Sequence, residues 1–524
     1  MNVRDSVSSR PGPVPEGGPT PAPNPWITLV IVCLAQFMIV LDVTVVNIAA
    51  PSIQHSLHFS SASLQWIITA YTLASGGFLL LGGRAGDLVG RRRVFLAGTL
   101  LFAAASLFNG LAPSAGALIV GRGLQGLGGA FASPAALAVL LASFPGARER
   151  TKALTVWSIV AVAGGAVGVL LGGVITSYLS WHWIFFINVP VGALIAAASV
   201  RFVPASAAAR QRGGFDLPGA VTVTSGTMLL VYAITQAPAG GWDSPAALGL
   251  GLGGLALLAV FVVIEQRGAS PLVRLSIFKI RALSVGNAAL MLVGGATFAL
   301  FLFISVYVQD ILHYSALRAG LAFLPVFGGS VAGAVSAQQL VARIGIRAVS
   351  VIGLAIGAAG MLLLIDLPAS GSYAASLLGQ ITLASVGVGM ATMPLTQLAT
   401  SGLAEELSGL ASGVNNMAQN IGRSVGLAVL TSVEVSWAAR SLHGTTPAAV
   451  LDAQVSGFHA AFLCGGILLL AGIPVVSVLR RRDTAAIDDR ARDGKPKPPG
   501  PADAAPGVGR DRGAGVLGKA PVTD

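Results

Sequence analysis

The sequence predicts an all-α integral membrane protein of about fourteen transmembrane helices, arranged as two six-helix bundles plus a two-helix insertion. Three observations carry that reading. Hydrophobic residues make up 54% and charged residues only 10% of the 524 residues, a balance that no water-soluble fold of this length could bury. The apolar residues fall in repeated runs of about 20, enough for a helix to cross a hydrocarbon core of about 30 Å, whereas a transmembrane β-barrel would show short alternating segments. Basic residues concentrate in every second loop, as expected when short loops are retained on one side of a membrane.

The tail 1–25 is polar and broken by Pro11, Pro13, Pro15, Pro19, Pro21, Pro23 and Pro25, so it is expected to be disordered, and it has no cleavable signal. Six spans of an N-terminal bundle over 26–204 follow, near Trp26–Ala49, Trp66–Gly82, Val94–Leu111, Ala115–Leu141, Ala153–Thr176 and Ile184–Val203. The polar segments Pro204–Asp216 and Gln266–Arg281 bracket the two-helix insertion, 205–282, with spans near Leu217–Thr235 and Ala246–Ile264. The C-terminal bundle, 283–480, has spans near Leu283–Val308, Ala319–Val341, Val349–Ile365, Tyr373–Met393, Leu410–Val433 and Phe458–Val478. The tail 481–524 mixes Gly, Pro, Ala and scattered charge, and reads as a second disordered segment. Most of the 67 glycines lie inside the runs, where small residues let helix backbones approach closely.

Alternate loops carry Arg91, Arg92 and Arg93, then Arg148, Arg150 and Lys152, then Arg201, Arg210 and Arg212. Further on come Arg267, Arg274, Lys279 and Arg281, then Arg343 and Arg347, and last Arg480, Arg481 and Arg482. The intervening loops hold only Arg318 and Arg440. This asymmetry predicts a multi-pass cell-membrane protein with both termini cytoplasmic and an even span count. It also accounts for the +11 net charge without a basic face for nucleic acid.

No catalytic or cofactor-binding constellation is present. Cys33 and Cys464 lie inside the first and last spans and read as small apolar packers. The six histidines form no metal-binding spacing, and no Gly-rich phosphate loop precedes a lysine. The chain is therefore expected to be neither an enzyme nor a metalloprotein, and to need no cofactor.

The chemistry that stands out is a lone acid, Asp42, deep in the first apolar run. A carboxylate at that depth is costly, and such residues usually face a partner or a water-filled path. The other reading is an acid near a helix end that reaches the interface. The loop Gly83–Arg93 has a worn echo at Leu340–Arg347, which keeps the glycine and arginines but lacks the acid. Internal repeats of this kind build alternating-access transporters.

These residues resemble a known family. Gly83-Arg84-Ala85-Gly86-Asp87-Leu88-Val89-Gly90-Arg91-Arg92 is similar to the signature loop of the major facilitator superfamily. Asp42 with Thr44, Asn47 and Pro51 resembles the first-helix signature of its fourteen-span drug:proton antiporter branch. Leu118–Gly126, containing Arg122, resembles the fourth-helix signature, and Trp181–Pro190 the start of the sixth helix. Tyr307-Val308-Gln309, Tyr314-Ser315-Ala316 and Gly320 fit the ninth-to-tenth-helix region. On the fifth helix Gly164, Gly168, Gly172 and Gly173 match the antiporter signature, but Val169 stands where the branch carries proline, which removes an expected kink. The first three of those glycines repeat every four residues and so line one helix face. In the thirteenth helix Gln419 stands where the branch often has arginine, and Arg423 follows one turn later.

The resemblance implies efflux of hydrophobic or amphipathic small molecules by alternating access, driven by protons. It makes Asp42 and Arg122 the proton-coupling pair, Gly83, Asp87, Gly90, Arg91 and Arg92 a cytoplasmic gating loop, and Asn47, Gln419 and Arg423 candidate lining of the substrate cavity. Helix geometry supports the pairing independently. Asp42 lies about eight residues before the outer end of the first span and Arg122 about seven after the outer start of the fourth, or ~12 and ~10 Å deep at 1.5 Å per residue. Two opposite charges at similar depth remove much of each other's penalty. A static ion pair that only fixes packing is the alternative for these two residues, and simple topology setting is the alternative for the arginines. Expected partners are a small-molecule substrate, protons and the lipid bilayer, with no nucleic acid, and the protein is expected to be a monomer. A proton-independent facilitator or importer on the same fold, and a non-transporting membrane sensor, are the competing functions.

Overall fold

The computed structural model describes residues 24–487 apart from 145, 205–215, 242, 269–270, 272, 274, 369–370, 402–407, 444–445, 481 and 486. The two expected disordered tails therefore lie almost wholly outside the described residues, as does most of the polar segment before the insertion.

Helix α1, Pro25–Leu57, starts where the Asn24 side chain accepts from the Trp26 amide with proline at the first helical position. It continues through Pro51 to a left-handed His58. A short α2, Ser61–Leu64, leads into α3, Trp66–Val89, then α4, Arg91–Gly110, and α5, Ala115–Ser143. Helix α6, Ala147–Tyr178, is a single unbroken element, in keeping with the missing proline. A short α7, Trp183–Phe186, and α8, Asn188–Phe202, complete the first bundle. The insertion is α9, Leu217–Gly240, and α10, Pro245–Arg267. The second bundle contains α11, Arg281–Val306, extended by a π-helical turn at Tyr307–Ile311. It continues with α12, Ala316–Ala322, α13, Leu324–Ile344, α14, Ile346–Leu362, α15, Tyr373–Ser376, α16, Leu378–Ala399, α17, Ser408–Ser441, and α18, Pro447–Ser477.

Among the described residues, thirteen helical stretches are long and apolar enough to cross a membrane. The expected span near Leu410–Val433 falls in α17, a 34-residue helix absent from those thirteen because Asn415, Asn416, Gln419, Asn420 and Arg423 dilute its hydropathy. It is nonetheless packed on four sides, by α3, α9, α11 and α18.

One correction concerns the signature segment. The sequence places Gly83 in a loop after the second span, but α3 runs on to Val89 and only Gly90 breaks it. Gly83 is helical, and a Cβ there would meet nothing nearer than Pro134 Cβ at 3.9 Å, so no turn or close approach requires glycine. Gly90 does require it: its φ of 107° and ψ of 129° join α3 to α4. Gly345, with φ 85° and ψ 157°, joins α13 to α14 in the same way. The sequence echo is thus a repeated turn, kept where the backbone demands glycine.

The two bundles are hydrogen-bonded to each other at the end opposite the start of α1 and the close of α18, here the far end. Ser305 Oγ donates to the Asn47 carbonyl at 2.7 Å and Gln309 Nε2 to the Ile48 carbonyl at 3.0 Å. The Leu317 amide donates to Ser177 Oγ at 3.0 Å. A Cβ on Gly173 would lie 2.6 Å from the Ala316 carbonyl, and one on Gly320 2.8 Å from that of Val169, so α6 and α12 touch backbone to backbone. Deeper in, Thr72 and Ser424 hydroxyls of α3 and α17 are 2.6 Å apart. Helix α9 lies along this α3–α17 seam: Gln65 donates to Thr235 Oγ1 at 3.1 Å, and Ser432 to the Ile234 carbonyl at 2.8 Å. Helix α10 packs outside α9 and is mostly exposed along its apolar length, as a lipid-facing helix should be.

Candidate functional site: a buried ion pair and a polar helix face

Asp42 sits in α1 with no solvent exposure, and Arg122 in α5 is 1% exposed. Arg122 Nη1 donates to Asp42 Oδ2 at 2.6 Å. The charges are held by a network on five helices. Gln125, one turn along α5, donates from Nε2 to Asp42 Oδ1 at 2.7 Å and to Ser106 Oγ at 2.6 Å. Its Oε1 accepts from Arg122 Nη1 at 2.6 Å and from Asn109 Nδ2 at 2.8 Å. Asn188, the first residue of α8, adds a 2.9 Å bond to Asp42 Oδ1. Arg122 Nε donates to the Ile67 carbonyl of α3 at 2.9 Å, and its guanidinium lies 4.5 Å from the Tyr71 ring centroid.

Three donors on one carboxylate, one of them cationic, suit an ionised acid in a water-free place. The desolvation of both charges is offset because both carboxylate oxygens of Asp42 and the Nε and Nη1 of Arg122 have hydrogen-bond partners. The sequence reading named Asp42 and Arg122. Gln125, Asn188, Ser106, Asn109 and Tyr71 join the cluster only through contacts between helices and with Arg122. Gln125 and Asn188 were present in the quoted motifs, and a polar residue one helical turn from Arg122 was the available signal.

The glycines of α6 pack on α1 around this acid. A Cβ on Gly164 would come within 3.3 Å of Val40 Cβ, and one on Gly172 within 3.1 Å of the Val45 carbonyl. One on Gly168 would strike Thr44 Oγ1 and approach the Leu41 carbonyl to 3.0 Å. The repeat of four therefore seats α6 against the α1 segment that carries Asp42, while Gly173 faces α12 instead.

Of the other expected site residues, Asn47 is buried and donates to the Val43 carbonyl of its own helix at 2.9 Å, its Oδ1 having no partner. Gln419 and Arg423 form a ladder on α17: Gln419 donates to Asn415 Oδ1 at 3.2 Å, and Arg423 donates to Asn420 Oδ1 at 3.1 Å and to Gln419 Oε1 at 3.4 Å. The half-buried Arg423 lies 4.9 Å from the centroid of Phe298 in α11, and no acid is bonded to it among the described residues. Asn47 and this ladder belong to different bundles and share no bond. Arg91 donates to the Ala138 carbonyl of α5 at 3.3 Å and Arg92 to the Val200 carbonyl in the last turn of α8, so both bind helices of their own bundle. The Asp87 side chain lies outside the described residues.

The architecture is that of a membrane transporter with two helical bundles around a seam, and not of an enzyme. Residues 32–427 match the Major Facilitator Superfamily, and the chain belongs to that family. It is 40% identical over 475 residues to the puromycin resistance protein pur8 of Streptomyces alboniger, covering 89% of this chain and 93% of that one. It is also 40% identical to the cephamycin export protein CmcT of Amycolatopsis lactamdurans over 409 residues, 77% of this chain and 84% of that one. Among solved structures, a bacterial homologue of the human lysosomal transporter Spinster, inward-facing and unoccupied, superposes with a TM-score of 0.62 at 15% identity, covering 89% of this chain and 98% of that one.

Proposed function

We propose that this protein exports hydrophobic or amphipathic small molecules, antibiotics among them, in exchange for protons. The relatives named for puromycin resistance and cephamycin export support the efflux direction. The observation that carries the proton coupling is the Asp42–Arg122 pair, a carboxylate held by a cation and two neutral amides at the mid-depth of a membrane. A packing staple alone has little need of a titratable group in so costly a place.

In the proposed cycle the tails and basic loops lie in the cytoplasm, and the far-end-closed arrangement is the inward-facing state. Protonation of Asp42 releases Arg122 and favours entry into this state, in which the proton leaves, the ion pair seen here forms again and substrate loads between the bundles near the α17 ladder. Loss of the proton to the cytoplasm restores the ion pair and favours the outward-facing return. Each proton entering releases roughly 2.3 kcal/mol per 100 mV of membrane potential. Arg91 and Arg92, bonded to α5 and α8, stiffen the basic end of the first bundle, and Asp87 biases the equilibrium between the two facing states.

The test is reconstitution of the purified protein in proteoliposomes with puromycin, cephamycin and a fluorescent lipophilic cation as candidate substrates. Uphill movement should follow an imposed pH gradient and collapse with a protonophore. Equal movement with and without the gradient would establish a facilitator instead.

A further inference from the structure

A second buried carboxylate lies outside the Asp42 network. Glu434 of α17 is 6% exposed, and among the described residues it has neither an ion pair nor a hydrogen-bond partner for its carboxyl group. It lines a small far-end cleft where the two bundles meet. Gln54 of α1 and Leu64 at the end of α2 come from the first, and Thr431, Phe303, Gln454 and Phe458 from the second. Thr431, 2% exposed, also has an unpartnered Oγ1 there. The cleft lies beside the far-end contacts Ser305–Asn47 and Gln309–Ile48.

The charged and titratable groups of the surrounding elements do not neutralise Glu434. On α17 Arg440 is exposed and Arg423 is committed to Asn420 and Gln419. On α18 Asp452 is exposed and His459 bonds the Leu367 carbonyl at 2.7 Å. On α1 Asp42 is held by Arg122, and His55 lies 3.7 Å from Asp310, beyond the end of α11. The described residues of α2 and α16 carry no charge.

We propose that Glu434 is a second protonation site of the transport cycle, one that couples proton uptake to closure of the far end. A carboxylate this far buried without a counter-charge favours its neutral form. Separating the bundles draws Gln54 and Leu64 away and wets the cleft, and there the acid can ionise. Far-end closure therefore takes up a proton from the far side, and by linkage the closed fraction rises as pH falls and declines as pH rises. The direction matches the proposed antiport on which this inference rests: an outside proton closes the outer gate after substrate has left.

The experiment uses the full-length protein in nanodiscs in a Cys33→Ser, Cys464→Ser background. Cysteine-linked spin labels replace Ser56 and Leu442, both exposed near the far ends of α1 and α17. Pulsed electron-spin distances are read from acid to alkaline pH. In the parent protein the far-end-open fraction should rise by about threefold or more on going alkaline. Glu434→Gln should stay closed throughout, and Glu434→Asp should restore the pH response. A parent-like pH response in Glu434→Gln, or equal disturbance by Gln and Asp, would overturn the proposal. The distances do not depend on transport, so a loss of gradient-driven export in the parent protein would sink the antiport reading while this measurement still judged Glu434.

Discussion

Gln125 and Asp42, 83 positions apart in the chain, share a 2.7 Å hydrogen bond, and the same Gln125 amide accepts from Arg122 at 2.6 Å. One neutral side chain thus bridges both members of the buried ion pair. Anything that neutralises Asp42 must rearrange Gln125 as well, so the acid's charge state is connected to α4 through Ser106 and Asn109.

Asp42→Asn should insert and fold yet lose uphill export. The amide keeps the size of the carboxylate but cannot titrate, and it leaves Arg122 without its counter-charge. Melting in detergent should fall, and gradient-driven export from proteoliposomes should drop at least about tenfold, equivalent to about 1.4 kcal/mol on the coupled step. An unchanged gradient-driven rate would remove Asp42 from coupling.

Gln125→Leu should destabilise the first bundle. It strips partners from Asp42 Oδ1, Arg122 Nη1 and Asn109 Nδ2 together, at about 1–3 kcal/mol for a buried polar group left unsatisfied. Thermal unfolding should show a drop of several degrees, and the pH profile of export should move. A melting temperature within a degree of the parent would mean that the bridge is dispensable.

Two glycines of the family motifs should respond oppositely to alanine. Gly168→Ala forces a methyl against Thr44 and the Leu41 carbonyl, pushing α6 off α1, and should reduce yield, melting temperature and export. Gly83→Ala has open space and a better helix former in mid-helix, a gain of up to about 1 kcal/mol. Its expression and stability should equal or exceed the parent's, and a large loss would reveal a need for glycine in another state of the cycle.

Asp87→Ala should slow turnover and leave substrate affinity nearly unchanged, because in the proposed cycle the residue biases an equilibrium between conformations and does not touch substrate. Cysteine accessibility at the two membrane faces should register the altered balance. Lost binding with an unchanged balance would contradict this.

Substrate charge should be read by Arg423. Its guanidinium is half-buried over Phe298 and, among the described residues, has only neutral amide partners, so a second positive charge in the same low-dielectric space is repelled. Competition between mono- and divalent quaternary ammonium ions of matched hydrophobicity should favour the monovalent series, and Arg423→Ala should narrow the gap. Divalent ions competing equally well, with Arg423→Ala silent, would end this reading.

The sequence by itself determined the helical membrane class, the internal repeat and the depth match of Asp42 with Arg122, because hydropathy, loop charge and helical rise are properties of local segments. Gly90 and Gly345 were legible for the same reason: a backbone turn demands glycine where it occurs. Tertiary structure alone decided the rest. Gly83 looked like part of a loop until α3 was seen to continue, since helix-to-loop boundaries depend on what the next helix packs against. The places of Gln125, Asn188 and Ser106 around Asp42 follow from how five helices converge, and no local pattern encodes a hydrogen bond spanning 146 residues. The position of α9 along the α3–α17 seam, and the burial of Glu434 where the bundles meet, likewise exist only once the helices are assembled. An apolar run specifies that a helix must be buried in lipid or protein, and only packing against specific neighbours decides which face meets which partner.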